Sequence, residues 1–300
     1  MTTETVDHRI CAADRTLSLW AVPTCLTGDD GIPLLLLHGS AYSALSVFHF
    51  PARKNSQDDY SLLRALADRG LDSYALDFTG YGGSRQGEQV PEGLAWFLED
   101  ARAAATFIRE RTGRNPVVLG WSWGAQVAAG LSESADVAGL IFWGGVWGGH
   151  AEHVPLPLQG LARPDTPWRT NSYEHAVSDF LTPGTYDPQV RDEFGTRALE
   201  IDPRSPWAAR AALVTGLPLF DPRNIHHPVL IVHGDRDPFV DEQDLKSLAA
   251  LRTRSRTDHV VVRGADHNVQ FSRARARFAD VIAEFCGSIR PKQLGTSRES

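Results

Sequence analysis

The chain of 300 residues has only three cysteines, Cys11, Cys25 and Cys286, an odd and widely spaced set. They cannot build a disulfide framework, and no C-x-x-C spacing points to zinc or thiol redox work, so they read as isolated thiols in a reducing compartment. Long apolar runs are also absent. Leu34–Leu37 and Val229–Val232 are far shorter than the ~20 residues a membrane helix needs. There is no basic excess: 30 Lys and Arg against 37 Asp and Glu give a net charge of −7, the wrong field for nucleic acid. The opening MTTETVDHRI lacks a basic n-region and an apolar h-region, so the expected location is the cytoplasm. Gly80, Gly82 and Gly83 do not make the G-x-G-x-x-G of a dinucleotide loop. His226-His227 has no third ligand in view and makes a poor metal site. The expected partner is a small molecule rather than nucleic acid or a membrane, with a homodimer left open.

What the chain does have is alternation. Short apolar runs at Pro33–Leu37, Leu71–Phe78, Pro116–Gly120, Val137–Trp143, Pro228–His233 and His259–Arg263 read as strands, most of them buried on both faces. An earlier strand is expected at Leu17–Thr24. Helix-period segments lie between, at Tyr60–Arg69, Glu92–Arg111, Ala125–Leu131, Asp241–Leu251 and Arg273–Phe285. Such alternation predicts an α/β fold, a mostly parallel sheet with helices on both faces. From Gly144 to about Asn224 the period is lost and prolines accumulate. A structureless loop of that length is not expected in a compact domain, so residues 144–224 read as an inserted lid of short helices. Residues 1–143 and 225–300 then form the core domain.

Active sites in these folds lie at the carboxyl ends of the strands, so the residues following each apolar run matter most. After Val117–Leu119 comes Gly120-Trp121-Ser122-Trp123-Gly124, a G-x-S-x-G match between a predicted strand and a predicted helix. A sharp turn there lifts a serine hydroxyl clear of the backbone, and the glycines remove the Cβ atoms that would clash. A serine needs a base to act as a nucleophile. His267, directly after the last predicted strand, is the candidate. The base needs a carboxylate to orient it. His233-Gly234-Asp235-Arg236-Asp237 offers two: Asp237 has room to turn back over the sheet edge toward His267, whereas Asp235 suits loop capping. The developing oxyanion needs two amides, expected from Trp123 and from Ser40, with Ala41 the next choice.

With these residues in place, the chain resembles the α/β-hydrolase-fold serine hydrolases, near the esterase and meta-cleavage-product hydrolase branches. The likeness runs from about Leu17 to Ile289, carried by HGSA at His38–Ala41, DFTGYGGS at Asp77–Ser84, GWSWG at Gly120–Gly124, HGDRD at His233–Asp237 and GADH at Gly264–His267. It implies a triad of Ser122, Asp237 and His267, an oxyanion hole from the Ser40 and Trp123 amides, and chemistry needing neither metal nor organic cofactor. The loop Ala41–Leu45 lacks the Pro-Gly pair of several such branches, which points away from peptidase or ring-cleavage substrates. Ser122 excludes relatives with an aspartate nucleophile.

For the substrate, Tyr42, Trp121, Trp143 and Trp147 suggest an apolar, aromatic pocket. The expected reaction is hydrolysis of an ester or related acyl bond of a small hydrophobic molecule. Two alternatives stand beside it: a lyase, cyclase or acyltransferase using the same triad, and a ligand receptor without turnover. Arg163, Arg169, Arg191, Arg197, Arg204 and Arg210 read as solvated helix faces of the lid, with binding of an anionic group the other reading.

Overall fold

A run such as IPLLLL offers water no polar face and demands cover on both sides. The computed structural model, which describes residues 5–22, 31–50, 59–134, 136–145, 147–148, 165–215, 217, 219–252 and 255–289, provides that cover. Its strands are β1 (Val6–Ala12), β2 (Arg15–Ala21), β3 (Ile32–Leu37), β4 (Leu71–Leu76), β5 (Val117–Trp121), β6 (Gly139–Trp143), β7 (Trp168–Thr170), β8 (Arg204–Pro206), β9 (Val229–Gly234) and β10 (Thr257–Val262). Its helices are α1 (Ala44–Phe48), α2 (Leu62–Ala67), α3 (Leu94–Thr112), α4 (Trp123–Gly130), α5 (Tyr173–Ala176), α6 (Pro188–Ile201), α7 (Trp207–Thr215), α8 (Glu242–Leu251) and α9 (Arg275–Ser288).

Eight strands form one sheet in the order β1-β2-β4-β3-β5-β6-β9-β10. Pairing is antiparallel for β1–β2 and β2–β4 and parallel throughout the rest. The mostly parallel α/β sheet expected from the alternation is therefore present. Along each central strand, successive side chains enter opposite cores. Leu34 and Leu36 join the cluster that holds Phe48, Leu63, Phe278 and Ile282. Leu35 and Leu37 join the one that holds Phe97, Ile108 and Val127. All four leucines are fully buried, and each contributes roughly 1.5–3 kcal/mol by leaving water.

β1 was not anticipated. Its sequence VDHRICA is mostly polar and only partly buried, because an edge strand faces solvent and carries no apolar run. Between β6 and β9 the chain leaves the main sheet and forms the two-stranded β7–β8 sheet with α5, α6 and α7. Among the described residues no helix is long and apolar enough to cross a membrane. Cys11 is exposed and Cys286 buried, both as free thiols; Cys25 lies outside the described residues.

The strand order fixes where a ligand can go. From β3 the chain passes first to β4 on one side and later to β5 on the other. The loops leaving β3 and β5 therefore diverge, and a crevice opens at their carboxyl ends.

Candidate active site

Ser122 occupies the turn between β5 and α4 with φ 54° and ψ −117°. A side-chain-bearing residue held there costs on the order of 1–3 kcal/mol, a strain the surroundings must impose. They do so through close backbone packing. The Ser122 amide donates to the Trp143 carbonyl at 2.8 Å. A Cβ on Gly120 would stand 2.1 Å from the Gly124 carbonyl oxygen, and one on Gly124 would stand 2.2 Å from that of Leu37. Both flanking glycines are thus required by the approach of β3, β5 and α4. The Trp123 amide opens α4, where the first N–H groups have no intrahelical acceptor.

The other two predicted groups meet at the ends of β9 and β10. The Asp237 carboxylate lies 3.0 and 2.9 Å through its two oxygens from His267 Nδ1. Asp237 Oδ1 also accepts the Phe239 amide at 3.0 Å. Asp235 does something different: its Oδ1 accepts the amides of Gly264 and Ala265 at 2.8 and 3.2 Å, tying the β9 loop to the β10 loop. The His267 carbonyl accepts Trp121 Nε1 at 3.2 Å, and the Phe239 ring packs 4.2 Å from the imidazole centroid. His267 is fully buried. Burial disfavours its imidazolium, but the Asp237 carboxylate, helped by Asp179 and Asp266, outweighs that and raises its pKa above the ordinary value.

Gly144, at φ 55°, was missed in the sequence. A Cβ there would come within 2.8 Å of Asp237 Oδ2 and 2.9 Å of His267 Nδ1. Only a glycine leaves room for that pair, and the sequence signal was its position directly after β6. Asp266 was missed too; its Oδ2 accepts the amides of Leu181 and Thr182 at 2.9 and 3.2 Å, anchoring the inserted segment beside His267.

The loop after β3 is held by buried polar groups. His38 Nε2 accepts the Phe78 amide at 3.2 Å, and its Nδ1 donates to the Gly39 carbonyl at 2.7 Å. Burial pushes the His38 pKa down to about 4, so the ring is neutral and structural. The Tyr81 hydroxyl donates to the Ser40 carbonyl at 2.9 Å. Asp77 accepts the Ala44 and Gly83 amides and Trp20 Nε1 at 2.8, 2.9 and 2.8 Å. Asp202, at the end of α6, accepts the Ser43 and Gly82 amides at 2.8 and 2.9 Å and pairs with Arg85 at 2.9 Å. Asn171 donates from Nδ2 to the Ala41 carbonyl at 3.1 Å. The inserted segment therefore helps to fix the very loop that carries Ser40 and Ala41.

Ser122 and His267 face one cavity, which Gly39, Ser40 and Ala41 also line. Of the four side chains expected to form the substrate pocket, Tyr42 and Trp121 line it. The structure corrects the placement of the other two, which are not among its lining residues. Trp143 is fully buried in the core, its ring 4.6 Å from that of Phe278 on α9. Trp147 sits on the far side of the sheet, its amide donating to Asp244 Oδ2 at 3.0 Å and its Nε1 to the Phe220 carbonyl at 3.3 Å. Alternation along β6 sends Trp143 beneath α9 rather than over the strand ends.

Nor is the cavity wholly apolar. Phe239 and Leu213 line it, but so do Arg169, Arg210, His175 and Asp179. The six arginines of the insertion thus divide. Arg191 pairs with Asp192, and Arg204 with Glu88, at the surface. Arg197 lies over the Phe50 ring at 5.6 Å. Arg163 lies outside the described residues. Arg169 and Arg210 turn toward Ser122.

A family model described as the alpha/beta hydrolase family matches residues 34–281. This chain belongs to the alpha/beta hydrolase family. The match spans every segment that carries the elbow, Asp237 and His267. A search of curated protein sequences gave no significant match. Solved structures share the fold at low identity. The esterase RhEst1 from Rhodococcus sp. ECU1013 is 22% identical, with a TM-score of 0.62 over 95% of this chain and 99% of that one. A meta-cleavage product hydrolase from Pseudomonas fluorescens IP01, as an S103A mutant, is 19% identical, with a TM-score of 0.67 over 93% and 97%. The 2-hydroxy-6-oxo-6-phenylhexa-2,4-dienoate hydrolase from Rhodococcus sp. strain RHA1 is 19% identical, with a TM-score of 0.63 over 95% and 99%.

Proposed function

We propose that this alpha/beta hydrolase cleaves an ester or related acyl bond of a small substrate through an acyl-enzyme on Ser122. The observation that carries this reading is the Asp237–His267 pair, bonded through Nδ1 at 3.0 and 2.9 Å, with His267 lining the same cavity as the strained elbow serine. With Nδ1–H committed to the carboxylate, the neutral ring keeps its lone pair on Nε2. Nε2 takes the Ser122 proton as Oγ attacks the carbonyl carbon, and returns it to the leaving group. A water, deprotonated in the same way, then releases the acid and restores Ser122. The Trp123 amide at the start of α4 and the Ser40 amide are the proposed oxyanion donors, with Ala41 next to them on the loop.

Residues 144–224 act in this reading as the lid, and the anchoring of Ser43 and Gly82 by Asp202 supports the assignment. Trp121, Tyr42 and Phe239 provide rings against which the apolar part of a substrate packs.

The test combines a fluorophosphonate probe with p-nitrophenyl esters of graded chain length. The expected result is a covalent adduct on Ser122 and ester hydrolysis that Ser122→Ala abolishes. Hydrolysis surviving that change near the wild-type rate overturns the mechanism. Product that gains no oxygen from labelled water would mark a lyase or cyclase.

A further inference from the structure

Two arginines that form no ion pair among the described residues face the cavity of Ser122, and the hydrolase reading does not use them. Arg169 comes from β7 and Arg210 from α7, and both line the cavity with Ser122. Arg210 is only 5% exposed. Among the described residues neither forms an ion pair, whereas Arg191 and Arg204 from the same segment do. Arg169 Nη1, Arg210 Nε and the Tyr42 hydroxyl are buried without a hydrogen-bond partner. Tyr42 is 4% exposed. Arg210 Nη2 contacts His175 Nε2. Burial and the two arginine charges push the His175 pKa down to about 2, so that ring is a neutral acceptor and removes no positive charge.

Such an arrangement is costly in isolation. Burying a guanidinium requires full compensation of its donors, and here two sit close enough that burial and the Arg169 charge together push the Arg210 pKa down to about 10. The one carboxylate lining the cavity, Asp179, makes no ion pair with either arginine among the described residues, and burial raises its pKa. Cavity and unpaired donors together therefore call for an acceptor supplied from outside. A planar carboxylate matches the fork of a guanidinium, and the nearby Asp179 disfavours a dianion more than a monoanion.

We propose that Arg169, Arg210 and the Tyr42 hydroxyl form an anion subsite beside Ser122, and that the substrate is an acyl ester bearing a free carboxylate near the scissile bond. This rests on the serine-hydrolase reading and narrows its substrate to monoanions.

The experiment compares the monomethyl esters of malonic, succinic, glutaric and adipic acids with the corresponding dimethyl esters, while fluorophosphonate labelling reports the nucleophile independently. For at least one chain length, kcat/KM for the half-ester should exceed that for the diester at least tenfold. The excess should shrink with rising salt. Arg210→Met and Arg169→Gln should each collapse the half-ester to diester ratio at least tenfold; the second variant, at a less buried site, covers the case in which the first fails to fold. Half-esters and diesters cleaved alike, with the ratio unmoved in the arginine variants, would overturn the subsite and leave the hydrolase standing. A Ser122 that resists the phosphonate, with no ester cleaved, would overturn the hydrolase instead. The subsite is then decided by calorimetry of Ser122→Ala protein with monomethyl glutarate, a monoanion: heat of binding lost in the Arg169→Gln background supports it, and no binding, or binding of inorganic phosphate in preference, overturns it.

Discussion

The Asp237 carboxylate reaches a single ring nitrogen of His267 through both of its oxygens, at 3.0 and 2.9 Å, and both residues are buried. Against burial, which alone would lower it, the charge of Asp237 raises the His267 pKa. In the proposed mechanism only the neutral ring accepts the Ser122 proton. Ester kcat/KM should therefore fall as pH drops through an apparent pKa above the ordinary histidine value of ~6.5. Asp237→Asn removes the raising charge, so the acid limb should move to lower pH while the plateau drops by roughly 10³-fold or more. A pH–rate profile checks both, and an unmoved limb would show that Asp237 does not set this titration.

The strained elbow makes a prediction about stability rather than rate. Ser122→Ala and Ser122→Gly both remove the proposed nucleophile, but only glycine reaches φ 54° and ψ −117° without steric cost. The glycine variant should be more stable than the alanine variant by about 1 kcal/mol, read as a difference in urea midpoint at equal m-value.

Gly144 packs its α-carbon against the pair itself. Gly144→Ala would place a methyl 2.8 Å from Asp237 Oδ2 at φ 55°. Stability should fall by only about 1–2 kcal/mol, while kcat should fall by roughly tenfold or more because the imidazole is displaced from its aim. Circular dichroism melts and ester kinetics on the same preparation separate the two effects.

Asp202 joins the inserted segment to the loop after β3. Asp202→Ala would strand the Ser43 and Gly82 amides and leave Arg85 without its carboxylate, holding only the Ile201 and Arg204 carbonyls. The expected loss is about 3–5 kcal/mol, with faster proteolytic cleavage within residues 165–215. Asp202→Asn keeps an acceptor oxygen and should lose less. Thermal unfolding and limited trypsin digestion test the order of the two variants.

The legibility of the sequence followed burial. β3, β5 and β6 are apolar throughout, and β9 is apolar as far as His233, because both faces are covered, so they stood out as runs. β1 faces solvent and did not. Ser122 was legible because a strained turn needs glycine on both sides, a local requirement written in five consecutive residues. Asp237 could be separated from Asp235 by its reach beyond the strand end, and the structure puts Asp237 on His267 and Asp235 on backbone amides. Trp143 misled for a related reason. It ends β6, where a pocket wall is expected, but whether its ring meets substrate or core depends on α9, whose Phe278 lies 135 positions away by residue number.

By itself the sequence determined the alternation of strands and helices and the glycine-flanked elbow, because each is dictated by the period of burial or by sterics within a few residues. The tertiary structure alone decided which side chains share the cavity. Arg169 and Arg210 carry the same local signature as Arg191 and Arg204, and only the folding of the segment between β6 and β9 turned the first two toward the cavity, where neither forms an ion pair among the described residues, and left the others paired at the surface. Charge distribution in a site depends on contacts between distant segments, and periodicity along one segment does not encode them.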